Sequence, residues 1–354
     1  MNILHIGKIT NDLCSGVDVI VPQHINFQNK YENIAFLNLN NVKINHIKKQ
    51  IEYKSPFDIK NIEINFPNIS LVVFHGIYNP KYIEIYKNLI KNKIPYIIVP
   101  HGSLARNALR KKWIKKSVAH ILLFNKFIKN AKAIQFLSKT ELKDSIFNKK
   151  GFIGTNGVPI PEMKKEGFRT SNIKIIYIGR AEVKIKGIDL MLKAISIKKD
   201  FLTEKNVSVE LYGPNITGER SEIRRLINKF DISELVTLNK EITGDDKEST
   251  FLDADLFIQT SRTEGMPVGI LEPLSYGLPV VITKGTNLGE IVKKYDAGWV
   301  SETKAEDIAE KLELAVNSYN EYVEKSINAV SLIKNEFLWD NVSKKTLDNY
   351  KRII

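Results

Sequence analysis

Apolar positions along the chain gather into short unbroken runs, separated by longer stretches with the three-to-four-residue period of helices. Leu71–His75 and Tyr96–Pro100 are typical: nearly continuous Val, Ile, Leu and aromatic residues with no polar alternation. Strands buried on both faces of a parallel sheet read this way, whereas half-exposed antiparallel strands alternate. In the first half the pattern predicts strands at Asn2–Ile6, Ile34–Leu39, Leu71–His75, Tyr96–Pro100 and Ala133–Phe136. Helical stretches are predicted at Lys81–Lys91, Ala105–Asn130 and Lys139–Phe147. Residues 157–172 are rich in Gly and Pro without an apolar period and read as a linker. A second series then predicts strands at Lys174–Ile178, Ser208–Tyr212, Val236–Leu238, Leu256–Gln259, Pro279–Ile282 and Gly298–Val300. Strands alternating with helices specify an α/β chain with parallel sheets. Its 354 residues exceed what one core holds. We therefore expect two doubly wound, Rossmann-like domains, residues 1–158 and 171–335, with a helix at about 340–354 packing back on the first. Two such domains facing across a cleft would take a ligand at the carboxyl ends of their strands.

Composition changes this picture little, and charge changes it more. Hydrophobic residues make up 43% and charged residues 26%, both ordinary, and 9% aromatics allow a real core. The lone cysteine, Cys14, excludes an intramolecular disulfide and a cysteine metal cluster. No apolar run approaches the ~18 residues that cross a bilayer, and no leader precedes the first strand. The expected location is the cytoplasm or the inner face of the cell membrane. Net charge is +13, and residues 81–150 carry 17 basic against three acidic residues. The excess is densest at Arg106, Arg110, Lys111, Lys112, Lys115 and Lys116. Such a stretch is either a solvated face or a patch for an anionic partner, a membrane surface or a lipid-linked phosphate. Nucleic acid is not expected, because no recognition-helix, zinc-finger or aromatic strand signature accompanies the charge. All six histidines lie within the first 120 residues, so histidine chemistry belongs to the first domain.

The most specific chemistry follows the strand at Leu256–Gln259. Ser261-Arg262-Thr263-Glu264-Gly265-Met266-Pro267 makes a turn and enters a short helix, with Pro267 near its first turn. The N–H groups of Val268, Gly269, Ile270 and Leu271 would point from that helix start toward a phosphate. Glu264 and Glu272, eight positions apart, can reach opposite ends of one extended ligand. Carboxylates accept hydrogen bonds from vicinal hydroxyls, so a sugar and a ribose fit them. Arg180 and Lys186 stand at the carboxyl end of the second domain's first strand and suit a diphosphate. The alternative reading leaves Glu272 facing solvent and makes Glu264 a helix cap.

These segments resemble the retaining, nucleotide-sugar-dependent glycosyltransferases of family four, which have the GT-B architecture. The resemblance covers nearly the whole chain. It rests on Gly179-Arg180, Lys186-Gly187, the Glu264/Glu272 pair, Tyr276-Gly277-Leu278-Pro279, Pro100-His101-Gly102 and Asn156-Gly157-Val158. It implies that Glu264 engages the donor sugar and Glu272 the ribose, with Arg180 and Lys186 on the diphosphate. It further implies that the backbone around Gly265, Met266, Pro267 and Val268 holds the transferred sugar, which His101 reaches from the first domain. Gly16 matches the glycine turn after strand one that closes on the phosphates, although Ser15-Gly16-Val17-Asp18 departs from the usual double glycine. Base contacts are expected from backbone near Gly213 and Ile242. Neither cofactor nor metal is implied. The expected donor is a nucleoside-diphosphate sugar, UDP-linked, and the expected acceptor a hydroxyl of a growing bacterial surface glycan, lipid-linked or not.

Other signals read as structural. Asp253-Ala254-Asp255 has a metal-binding spacing but immediately precedes a buried strand, which suits an entry turn. His5 and Cys14 read as packing residues, His75 as an acceptor contact or a buried histidine. Glu141, after Ser138, reads first as half of a capping box. Leu109 and Trp113 suit a membrane interface or an ordinary core, and Pro273 should kink its helix. The rival functions are a GT-B epimerase or phosphorylase and a non-enzymatic polyanion-binding protein.

Overall fold

A computed structural model describes residues 1–11, 16–104, 118–145, 147, 150–214 and 218–354. The chain forms two units, residues 1–156 with 339–354, and residues 157–338. Cys14 and the basic stretch 106–116, with Leu109 and Trp113, lie outside the described residues, as does the first half, 105–117, of the helix predicted from Ala105.

The first unit is built on β1 (Asn2–Gly7), β2 (Asn33–Asn38), β3 (Gln50–Glu52), β4 (Leu71–His75), β5 (Tyr96–Val99), β6 (Ala133–Phe136) and β7 (Gly151–Ile153). Its helices are α1 (Gly16–Gln28), α2 (Ile59–Glu63), α3 (Lys81–Lys91), α4 (Val118–Asn130) and α5 (Lys139–Asp144). The parallel sheet runs β3-β2-β1-β4-β5-β6-β7, with Ile3 opposite Leu71 and Ile34, and Leu4 opposite Val72 and Ala35. The central strands are buried on both faces, as their unbroken apolar runs require. The strand order reverses between β1 and β4, so the loops leaving those strands stand at the switch point. The outer strands β3 and β7 were not among the predicted ones. Each has three residues, too short a run to carry a periodic signal.

The second unit has β8 (Lys174–Ile178), β9 (Ser208–Tyr212), β10 (Val236–Asn239), β11 (Leu256–Gln259), β12 (Val280–Thr283) and β13 (Gly298–Ser301). Its helices are α6 (Ile188–Ile197), α7 (Lys199–Glu204), α8 (Arg220–Lys229), α9 (Gly244–Asp253), α10 (Val268–Ser275), α11 (Gly289–Tyr295), α12 (Ala305–Asn317) and α13 (Tyr322–Leu332). Sheet order is β10-β9-β8-β11-β12-β13, all parallel, which puts the reversal between β8 and β11. The stretch 157–172, expected as a linker, is part of this unit. Val158 bridges to Leu338, the Lys165 N–H donates to the Tyr276 carbonyl at 2.9 Å, and the Arg169 N–H donates to Asp255 at 3.0 Å.

The last helix, α14 (Trp339–Ile353), belongs to the first unit and buries Trp339, Val342, Ser343, Thr346, Leu347 and Tyr350. That spacing is one helical face. Trp339 stacks on Phe27 with 5.4 Å between ring centroids and donates its indole N–H to Gln23 at 2.8 Å. Among the described residues, no helix is long and apolar enough to cross a membrane.

Candidate active site

In the second unit, the loops leaving β8 and β11 are pressed together at the switch point. Gly187 closes the first loop at φ +65°, and a Cβ there would lie 2.0 Å from the Thr260 carbonyl oxygen. Only glycine admits that approach. The Thr260 hydroxyl donates back to the Gly187 carbonyl at 2.9 Å. Gly213, after β9, closes in the same way, since its Cβ would stand 1.8 Å from the Gly179 carbonyl oxygen. Three strand ends thereby share one compact rim. Ile242, the other residue expected near the base, lies half-buried between β10 and α9.

This closeness joins Lys186 to Glu264 across the two loops. The Lys186 Nζ donates to Glu264 Oε1 at 2.7 Å, and both side chains are largely shielded, at 14% and 13% exposure. Ser261 Oγ, at 2.6 Å, and Gln259 Nε2, at 3.0 Å, donate to the same oxygen. Glu264 Oε2 has no such partner among the described residues and is the oxygen left to accept from a ligand. Asn287, left-handed at φ 64°, donates its amide to the Glu264 carbonyl and holds the backbone of this turn. Glu264 is therefore a supported carboxylate. It does not cap the helix: Pro267 occupies the N-cap of α10 with no side-chain hydrogen bond.

Glu272, one turn into α10, accepts from Lys247 on α9 at 2.5 Å. Arg180 stays half exposed and pairs with Glu182 at 3.1 Å. The Tyr177 phenol donates to the Arg180 backbone carbonyl at 3.0 Å. Burial pushes that phenol well above its ordinary range, Glu264 and Glu182 push it further, and Arg180 opposes them. Arg180, Lys186 and Glu264 thus form one electrostatic neighbourhood.

The helix start departs from expectation. Of the four N–H groups predicted to be free, Val268 donates to Met266 at 3.0 Å, and Ile270 and Leu271 donate to Pro267 at 2.9 and 3.4 Å. Gly269 alone keeps an unpaired N–H among the described residues. The tight turn at Met266-Pro267 consumes the others, so an anion seat here is narrower than a regular helix start would supply. At the other end of α10, Gly277 takes φ +83° and the Leu278 N–H returns to the Pro273 carbonyl at 3.0 Å, which is a Schellman cap.

Asp253 and Asp255 are each taken up by basic partners and backbone donors. Asp255 is fully buried and accepts from Arg169 Nη1 at 3.1 Å and the Lys174 N–H at 2.9 Å, with Lys165 Nζ at 3.6 Å. Asp253 pairs with Lys174 at 3.0 Å and with Arg169 at 2.5 Å. They staple the segment before β8 to the sheet at its amino end.

In the first unit, His101 follows β5 in a left-handed conformation at φ 47°. Its turn is held by Glu141, a buried carboxylate that accepts from the Gly102 N–H at 2.7 Å and the Leu137 N–H at 2.8 Å. Ser138 caps α5 by accepting from the Glu141 N–H at 3.1 Å, one half of the expected capping box. The carboxylate half goes to the His101 turn instead. Burial raises the Glu141 pKa, against the two backbone donors. His75, at the end of β4, lies between two rings: His5 Nδ1 is 2.8 Å from His75 Nε2, and His75 Nδ1 is 3.1 Å from His101 Nε2. His5 is more than packing, since its other nitrogen meets Gln28 Oε1 at 3.0 Å. Burial, aided by neighbouring imidazoles, lowers His5 and His101 to about 3 and His75 well below the ordinary histidine range. Gly16 opens α1, and nothing described lies within 4 Å of where a Cβ would stand.

Residues that the sequence left unsignalled include Lys247, Gln259, Ser261 and Asn287. Lys247 and Asn287 reach Glu272 and the Glu264 turn from 25 and 23 residues away, whereas Gln259 and Ser261 stand five and three residues before Glu264 and were not assigned a role.

Residues 160–331 match the family model described as Glycosyl transferases group 1. The chain is 25% identical over 189 residues to an uncharacterized glycosyltransferase of Methanocaldococcus jannaschii, covering 52% of this chain and 46% of that protein. The chain thus spans about half the length of that relative. Among solved structures, it is similar to Anabaena HepE in complex with UDP and glucose, with TM-score 0.75 and 14% identity over 99% of both chains. It is also similar to the lipopolysaccharide outer core galactosyltransferase WaaB, with TM-score 0.70 and 15% identity over 99% of this chain and 100% of that one. These likenesses show the fold, which is that of the GT-B glycosyltransferases.

Proposed function

We propose that this chain is a retaining glycosyltransferase that moves a sugar from a nucleoside diphosphate, UDP-linked, to an acceptor hydroxyl. The observation that carries the reading is the supported Glu264 carboxylate. It lies beside Lys186 and eight residues before Glu272, at the start of α10, inside the segment that matches the glycosyltransferase model. Glu264 Oε2 accepts from hydroxyls of the donor sugar, while Glu272 exchanges Lys247 for the ribose hydroxyls. Arg180, Lys186 and the Gly269 N–H stabilise the diphosphate as it leaves, charge stabilisation that needs no metal. Gly265, Met266, Pro267 and Val268 line the sugar, Gly213 and Ile242 approach the base, and Gly16 approaches the phosphates. His101 accepts from a sugar hydroxyl. The departing phosphate helps deprotonate the acceptor on the same face, which gives retention.

The likeness to a lipopolysaccharide galactosyltransferase supports a surface glycan as acceptor, lipid-linked or free. The basic stretch 106–116 would then meet an anionic membrane from the cytoplasmic side, each cation contributing ~1 kcal/mol. Gln at Arg110, Lys111, Lys112, Lys115 and Lys116 should abolish binding to anionic vesicles and leave transfer to a short soluble acceptor intact. Equal binding of the wild type to neutral and anionic vesicles at low salt would reduce the stretch to a solvated face.

Donor hydrolysis across a panel of nucleoside-diphosphate sugars, with and without excess chelator, tests the central reading. Sugar release that survives chelator is expected. Epimerised donor points to the epimerase, phosphate-dependent release to a phosphorylase, and no turnover of any donor to a polyanion-binding protein.

A further inference from the structure

We propose that a directed run of hydrogen bonds holds His101 as the neutral imidazole protonated on Nε2, with Gln28, His5 and His75 as positioning residues and Nδ1 left as an acceptor. The run starts at the Gly154 backbone carbonyl, which can only accept. Gln135 donates to it through Nε2 at 2.9 Å, so the Gln135 amide is oriented and its Oε1 faces the other way. The Tyr350 phenol donates to that oxygen at 2.6 Å and so spends its single proton. Whatever next faces the phenol oxygen must be a donor. Burial raises the Tyr350 phenol above its ordinary range, and the Gln28 side chain beside it opposes that shift. Gln28 Nε2 stops short of a complete hydrogen bond, yet the reversed amide would set its carbonyl against an oxygen with no proton to give.

The orientation of Gln28 then propagates. Its Oε1 accepts from His5 Nε2 at 3.0 Å, which must carry the proton. A neutral imidazole holds one proton, so His5 Nδ1 is a lone pair and His75 Nε2, at 2.8 Å, donates to it. By the same logic His75 Nδ1 accepts from His101 Nε2 at 3.1 Å. His101 Nδ1 ends the run with a lone pair and no partner among the described residues. The three rings stack in series, with centroids 5.1 and 5.4 Å apart. His24 stands beside the run at 6.5 Å from His75, but its Nε2 goes to Asn156 at 3.1 Å. Burial keeps all three members of the run neutral.

His101 therefore offers a lone pair to a hydroxyl and no positive charge to a phosphate. That the hydroxyl belongs to the donor sugar rests on the glycosyl-transfer reading above. The test is a long-range 1H–15N correlation spectrum of the full 15N-labelled chain near neutral pH, with signals assigned by single His→Gln variants. Nε2 of His5, His75 and His101 should show the shift of a protonated nitrogen and Nδ1 that of a bare one. His101 protonated on Nδ1, or on both nitrogens, overturns the proposal. Gln28→Met removes the director and should yield mixed His101 tautomers. The kcat of that variant should fall about tenfold, as when one hydrogen bond is offered with the wrong polarity, with KM for the donor little changed. An unmixed His101 in Gln28→Met also sinks the idea. The two readings fail separately: correct tautomers without sugar transfer would leave the run standing and remove the enzyme, and the reverse result would do the opposite.

Discussion

Single atoms decide how closely the rim of the second unit can close. A methyl group at Gly187 would overlap the Thr260 carbonyl and demand a left-handed alanine. Gly187→Ala should cost ~1 to 3 kcal/mol and pull Lys186 from Glu264, weakening donor binding along with stability. Urea unfolding and calorimetry on one variant would register both effects, and an unchanged urea midpoint would contradict the close approach. Glu272→Ala and Arg180→Ala should each weaken nucleoside-diphosphate binding by ~1.5 to 3 kcal/mol, the worth of a charge-assisted contact. Unaltered affinity for the free diphosphate would count against both assignments. Asp255 is a different kind of carboxylate. Asp255→Ala would leave Arg169 and Lys165 facing an empty buried site, so ~3 to 5 kcal/mol of stability should be lost.

Elements matter here mainly through what their ends hold. The His101 turn has no regular structure of its own and is pinned from α5 by Glu141. Glu141→Ala removes the acceptor of two backbone N–H groups and should cost ~1 to 3 kcal/mol for each left unpaired. Glu141→Gln keeps one acceptor oxygen and should cost less. Equal losses in thermal unfolding for the two variants would show that the bonds to Leu137 and Gly102 do not support the turn. The start of α10 shows the opposite economy: Met266 and Pro267 absorb N–H groups that a regular helix start would offer to a ligand. Pro267 is visible in the sequence, but its dihedral angles are not, and they determine where those donors point.

At the scale of the whole molecule, the histidines separate the two units by their response to acid. His5, His24, His75 and His101 are buried and neutral: burial is the main cause that lowers His24 to about 4, His5 and His101 to about 3, and His75 well below the ordinary range. Below the ordinary value of 6.5, the unfolded chain binds protons that the folded one refuses. Stability of the first unit should therefore fall as pH falls from 6.5 toward 4, by up to ~1.4 kcal/mol per pH unit for each histidine. The second unit holds no histidine, and its depressed carboxylates, Asp189, Glu222, Asp231, Asp253 and Glu306, lose their contribution only below the ordinary values of 3.8 for aspartate and 4.5 for glutamate. Hydrogen exchange at about pH 7.5 and about pH 5 should show protection lost in residues 1–156 and kept in 157–338. Uniform loss would overturn the assignment.

How much of this was legible in the residues alone depends on the range of the interaction. Unbroken apolar runs bounded by turn residues mark the long strands, because burial on both faces of a sheet leaves no room for polar alternation. Glu264 and Glu272 are legible for a similar reason, since their spacing along one turn and helix is local. Arg180 and Lys186 could be chosen because they directly follow a strand. Chain order alone could not tell that Lys247 would meet Glu272, that Asn287 would hold the Glu264 turn, or that Glu141 would hold a turn 39 residues away. Nor could it show that three basic partners arriving from 165–174 would engage the Asp253/Asp255 pair. The histidine run depends most on the fold. Its members come from β1, α1, β4 and the loop after β5, and the proton on each nitrogen is set by the next group in space. Local spacing determined the sheets and the carboxylate pair; hydrogen-bond direction and ion pairing, which need donors and acceptors brought together from distant positions, were decided only by the tertiary structure.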